Sequence, residues 1–281
     1  MAVEKKSRVY AGAADPALHD WKPFQWDEPA LGRVETQGEV AIFRPEGTSG
    51  RLVAGFWRYH AGAPGANPDG SGTVLSTSPM GDGVWVILDG SATVTANQAG
   101  TSHQVGPNSI VHVPKGVEHT WDIAGPYLKT FWVSWDCDNP TGADLNDIYI
   151  ASTNDNPHSD EWVTYVFNEP LEGELVSGEY ITLYPQGSSG TYFTSLWRVG
   201  KGIPGGDADG TSRVGYTSTL GDETILLLEG EVHIRDDSTG EEFEFRAGDL
   251  IALPAGDHIT WTTKGPFVKK FSVITGASLT A

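Results

Sequence analysis

The 281-residue chain carries 18 Lys and Arg against 37 Asp and Glu, a formal net charge of −19; that balance excludes a basic nucleic-acid face and argues against an anionic membrane surface. Cys137 is the one cysteine, so no intramolecular disulfide can form, and the sequence holds neither an apolar leader core nor a run of eighteen apolar residues. A cytoplasmic protein is expected, with 35 Gly and 17 Pro announcing many turns.

In chain order, residues 1–40 contain Trp21 and Trp26 and are expected to wrap the first folded unit. "RLVAGFWRY", "VWVIL", "SATVTAN", "SIVHV" and "KTFWVSW" then follow, each rich in β-branched and aromatic residues and bounded by Gly, Pro, Asp or Asn. They read as short strands. The stretch from Ser134 to Trp162 is rich in Asp, Asn, Pro and Thr and reads as a linker with one short helix. A second strand series follows: "TYFTSLWRV", "TILLL", "EVHIRD", "DLIAL" and "VKKFSVI". "LDGSA" and "LEGEV" read as tight hairpin turns, with Gly90 and Gly230 where positive φ is needed.

The second series repeats the first. Trp57 and Trp197, Pro114 and Pro254, and Phe131 and Phe271 are each 140 residues apart, and the register runs without a gap from Phe43 to Val133. About three positions in ten are identical, a duplicated domain too long for a solenoid unit. The expected organisation is an N-terminal extension with the first unit over 1–140, a linker over 141–165 and the second unit over 166–281. No helical period appears, so each unit is all-β, a sandwich or barrel.

"VPKGVEHTW" in the first copy and "LPAGDHITW" in the second, with "DETILLLEGEV" and "GPFVKKFSV", resemble the cupin superfamily, in the branch of ethanolamine-utilisation and ureidoglycine-type cupins. The resemblance spans both copies. It implies a bicupin: two tandem double-stranded β-helix (jelly-roll) barrels. Metal-binding cupins use a His-x-His pair with a following Glu, and a His three residues after Pro-x-Gly. In the first copy those positions hold Ser76, Ser78, Gly83 and His119; in the second, Tyr216, Ser218, Glu223 and Ile259. Neither copy supplies two matched ligands, so no cofactor is expected. A divalent transition metal would need a non-standard set, His60, His112 and His119.

Strand alternation places Gly83, Trp85 and Ile87 on one face, matching Glu223, Ile225 and Leu227. Trading a carboxylate for space and an indole gives the first barrel an expected lining of Trp85, Ser76, Ser78, His60, His112 and His119. The second holds Tyr216, Ser218, Glu223 and Arg213, either a ligand site or a satisfied polar network. Trp57, Trp121, Arg58 and their counterparts recur in both copies and are assigned to the shared fold. His258 is one residue out of phase and should face away from the interior; Cys137 and His158 are read as incidental.

Three functions stay open. The first is an enzyme of isomerase or lyase type on a small polar or aromatic metabolite, by metal-independent acid/base chemistry in the first barrel, with His119 as the general acid/base and His112 as a second catalytic candidate. The second is a bicupin that binds a small molecule without turnover. The third is a metal-dependent oxygenase or hydrolase with displaced ligands. The expected partner is a small molecule, with neither nucleic acid nor membrane, and the chain a monomer or homodimer.

Overall fold

The computed structural model describes residues 9–17, 20–48, 51–136, 145–154, 161–184 and 187–276. Among these there is no α-helix. In chain order the first strands are β1 (Tyr10–Gly12), β2 (Lys22–Glu28), β3 (Arg33–Arg44), β4 (Arg51–His60) and β5 (Gly72–Ser76). β6 (Asp82–Ala96), β7 (Thr101–Val105), β8 (Ser109–Val113), β9 (His119–Asp136) and β10 (Tyr149–Ser152) follow. The second series is β11 (Val163–Glu169), β12 (Gly173–Tyr184), β13 (Tyr192–Gly200) and β14 (Ser212–Thr217). It ends with β15 (Asp222–Asp236), β16 (Glu242–Arg246), β17 (Leu250–Leu253) and β18 (His258–Thr275).

One sheet runs β10-β8-β6-β9-β4-β3-β2, with β5 on β9 and β7 on β6. The other repeats it as β1-β17-β15-β18-β13-β12-β11, with β14 on β18 and β16 on β15. The described residues within 15–154 and 187–192 form one unit, and those within 9–14, 161–184 and 193–276 the other. Each is a barrel-like sandwich around its own apolar core. The N-terminal stretch is divided: β2 and β3 join the first sheet, whereas Tyr10–Gly12 pairs with β17. Within the stretch read as a linker, Tyr149–Ser152 is a strand on β8 rather than a short helix. Cys137 and His158 lie outside the described residues.

Two long strands in each unit build both layers. The first half of β6 pairs with β8 and the last part of β9; its second half pairs with β7 and the start of β9. "LDGSA" and "LEGEV" are therefore not hairpin turns. They are register shifts inside continuous strands, where β6 and β15 pass from one layer to the other. The shift needs Gly: at Gly90 φ is +79°, and a Cβ there would lie 2.0 Å from the Tyr127 carbonyl oxygen.

The repeated residues hold this frame. Trp57 Nε1 donates to the Gln37 carbonyl at 3.1 Å, and Trp197 Nε1 to that of Ser177 at 2.5 Å. Arg58 stacks 4.2 Å over Trp21 and Arg198 4.1 Å over Trp162, while each pairs with a carboxylate, Glu39 or Glu179. Asp82 accepts from Lys115 N and Asp222 from Ala255 N, both at 2.9 Å, tying the start of a long strand to the Pro-x-Gly turn.

Candidate functional site

Ser76 at the end of β5, Ser78, Trp85 on β6 and His119 on β9 all line the interior cavity of the first barrel, about 50 Å³. His119 is 1% exposed. Its Nδ1 lies 2.9 Å from the Val117 carbonyl, which can only accept, so Nδ1 carries the proton and Nε2 the lone pair. Burial lowers its pKa, so the ring is neutral at neutral pH. Ser78 has φ of 47° and spends its hydroxyl on the Gly81 carbonyl at 2.8 Å, as Ser218 does on Gly221 at 2.6 Å. The exchange of Glu for Gly at position 83 opens no space. A Cβ on Gly83 would lie 2.3 Å from the Trp85 ring, so the indole fills the room the missing carboxylate leaves.

Two other expected members are elsewhere. His112 is fully buried, but Val111 and Val113 on either side belong to the core, so strand alternation turns His112 to the opposite face. Its ring lies 5.8 Å from that of Tyr149, and burial lowers its pKa to about 3. The pair of His119 and His112 is therefore not brought together. His60 lies at the end of β4, with Nε2 3.1 Å from Glu39 and Nδ1 2.8 Å from the Ala61 carbonyl, and does not line the cavity.

The second barrel is roomier, with a cavity of about 230 Å³. Tyr216 on β14 and Glu223 on β15 line it as expected; Arg213 is exposed on the other face of β14. The residue the sequence reading missed is Lys270 on β18. It shares a face with Ser272 and Ile274, while Phe271 and Val273 are fully buried between them. Its Nζ lies 2.8 Å from Glu223 Oε1, and the Tyr216 hydroxyl donates to Glu223 Oε2 at 2.9 Å. The same ammonium lies 4.8 Å from the Trp261 ring centroid, 5.3 Å from Trp197 and 6.0 Å from Tyr216. Tyr165 and Tyr180 complete an aromatic wall.

Burial alone would raise the pKa of Glu223. The Lys270 charge, with hydrogen bonds from Lys270 and Tyr216, outweighs it and holds the carboxyl below its ordinary range. Tyr216 moves the other way, raised first by burial and then by the Glu223 charge. The interior thus contains an ionised pair and a phenol that keeps its proton. His258 instead faces Glu169, at 3.3 Å, and Asp237, at 3.4 Å, while Ile259 takes the buried position.

These residues do not fit a metal. His60, His112 and His119 do not converge, and among the described residues no group of three or more His, Cys, Asp or Glu is placed to hold an ion. In the second barrel a lysine ammonium already neutralises the one matched carboxylate.

A family model described as the EutQ-like cupin domain matches residues 210–271, which include Tyr216, Glu223 and Lys270. No curated protein matches the chain. Among solved structures, a protein of unknown function from Pseudomonas syringae pv. tomato str. DC3000 is 16% identical with a TM-score of 0.61, over 95% of this chain and 99% of that one. Ylba from E. coli is 10% identical with a TM-score of 0.61, over 97% and 93%. A mutant of Bacillus subtilis oxalate decarboxylase is 16% identical with a TM-score of 0.51, over 95% of this chain and 77% of that one. Another structure of that enzyme is described by its Mn(II) centres. Identity this low carries the fold and no chemistry: residues 210–271 match a cupin family model, and the chain as a whole has a two-unit fold similar to that of bicupins.

Proposed function

We propose that the second barrel is the working site and acts on a small metabolite with a carboxylate or carbonyl beside an apolar or aromatic body. The observation that carries this is the Tyr216–Glu223–Lys270 set inside an aromatic-walled cavity of about 230 Å³. The reading from sequence gave this role to the first barrel; the second has more room and the charged groups. Lys270 is placed to hold an oxygen on which negative charge develops. Glu223, ionised, is the acceptor for a proton from the adjacent carbon: the C–H bond breaks, its electrons move to the Lys270-bound oxygen, and the proton goes to the carboxylate. Return of that proton at a different carbon is an isomerisation, and loss of a β-substituent an elimination.

The test is a panel of 2-hydroxy and 2-keto carboxylates in D₂O, followed by proton NMR with the whole chain. Solvent-deuterium uptake or product formation that falls at least about a hundredfold in Glu223→Gln supports the reading. Binding without exchange supports the alternative, a non-catalytic binder, which the mutual satisfaction of Glu223, Lys270 and Tyr216 favours. Absence of binding by any member overturns both.

A further inference from the structure

The two barrels keep one pair of tryptophans and differ in what the pair embraces. In the second, Trp197 and Trp261 lie 6.1 Å apart at 87° with the Lys270 ammonium against both rings. In the first, Trp57 and Trp121 lie 6.0 Å apart at 74°, and Trp85 adds a third indole 5.7 Å from Trp121. The frame that receives an ammonium is thus repeated, but the ammonium is not. The 140-residue register puts Thr130 where the second copy has Lys270. Its hydroxyl is buried without a hydrogen-bond partner among the described residues, and no Lys or Arg lines the first cavity.

We propose that the first barrel binds the primary ammonium end of a small alkylamine among Trp57, Trp85 and Trp121, where the second barrel holds its own lysine. Indole faces attract a cation most strongly when it is desolvated. An ammonium also needs acceptors. The second barrel offers Glu223; the first offers the Nε2 lone pair of His119, which lines the cavity. His119 is kept neutral by burial and does not repel the ligand. A cavity of about 50 Å³ fits a group the size of a lysine tip rather than a large head. Trp26, Pro79, Met80 and Ser134 line both this cavity and an outer pocket of about 630 Å³. Asp27 and Glu46 bring two carboxylates to that outer pocket beside Asp136, which is itself paired with Arg51 and Lys115, so the mouth keeps a net negative charge. A cation is drawn to such a mouth, and the rest of the amine has room there.

The test titrates the whole chain at neutral pH with butylammonium chloride and with 1-butanol, its neutral counterpart, by calorimetry and tryptophan emission. Saturation at one equivalent is expected, with butanol at least about tenfold weaker. Thr130→Lys should abolish binding by tethering an ammonium in the cage, copying the second barrel. If that chain does not fold by circular dichroism, Trp85→Leu carries the test: butylammonium should weaken at least about fivefold and butanol should not. Equal affinity for the two probes, half-saturation above about 10 mM, or undiminished binding in a folded Thr130→Lys chain would overturn the proposal.

Discussion

The two barrels agree down to single hydrogen bonds in their frames and disagree at nearly every inward-facing polar position. Glu28 and Glu169 each take both the backbone N–H and the hydroxyl of a threonine, Thr77 or Thr217. Asp82 and Asp222 each tie down a Pro-x-Gly turn. Inside, Ser76 corresponds to Tyr216, Gly83 to Glu223, His119 to Ile259 and Thr130 to Lys270 in the shared register. The physical reason is a division of labour. Frame residues satisfy backbone groups that no other residue at that place can reach, so both copies need them. An inward side chain needs only volume and a partner, so a carboxylate–lysine pair and a set of indoles are both stable fillings.

The comparison breaks most visibly at Lys270. Replacing it with Met leaves the Glu223 carboxyl buried with no counter-charge, expected to cost about 3–5 kcal/mol in the second barrel. Hydrogen exchange resolved by peptide should show faster opening in β15 and β18 and little change in β6 and β9. Adding Glu223→Leu should recover most of the loss, because an apolar pair of similar volume removes the desolvation penalty. A cost below about 1 kcal/mol for Lys270→Met would mean that water reaches the pair.

Acid should separate the barrels next. His112 is matched by Ala252 in the second copy. Burial lowers the folded pKa of His112 from 6.5 to about 3. The unfolded chain therefore takes up a proton near 6.5 that the folded barrel refuses until about pH 3. Stability is complete above the unfolded value and falls with pH through that window, by up to about 1.4 kcal/mol per pH unit for one proton. His119, lowered in the same direction by burial, adds to the slope. In His112→Ala the first barrel should lose up to one proton from its pH dependence, measured by exchange between about pH 7 and pH 4. An unchanged slope would show that His112 protonates in the folded chain.

Much of the frame was legible because it obeys local rules. Apolar runs bounded by Gly and Pro gave the strands, and an ungapped register gave the duplication. The long strands were not legible as such, since Gly90 and Gly230 carry the same local signal in a bulge as in a hairpin. In the site, the motif positions of the cupin resemblance found Ser76, Tyr216 and Glu223, and alternation added Trp85. Followed strictly, it would also have turned His112 outward between Val111 and Val113 and put Arg213 opposite Val214 and Tyr216. Lys270 was readable by the same rule, two residues before Ser272 and on the face opposite Phe271 and Val273. What no rule of spacing shows is that the Trp85 ring lies over Gly83, because that depends on a side-chain torsion.

The smallest expected difference tests the shared frame itself. Glu28 accepts from Trp26 Nε1, Ala30 N, Thr77 N and the Thr77 hydroxyl at 2.9–3.0 Å. Glu169 accepts from Leu171 N, Thr217 N and the Thr217 hydroxyl and lies 3.3 Å from His258 Nδ1, with Phe167 standing where Trp26 stands. Gln in place of either keeps the shape but replaces one acceptor oxygen with a donor, which cannot serve an N–H. Each change should cost about 1–3 kcal/mol in its own barrel. Glu28→Gln gives up the Trp26 indole bond and Glu169→Gln the His258 contact, so the two costs should agree to within about 1 kcal/mol. Chemical denaturation with barrel-resolved exchange measures both. Because Trp26 also lines the first cavity, Glu28→Gln should weaken butylammonium binding while Glu169→Gln leaves it unchanged. Costs further apart than about 1 kcal/mol would mean that the two carboxylates share contacts without sharing a role.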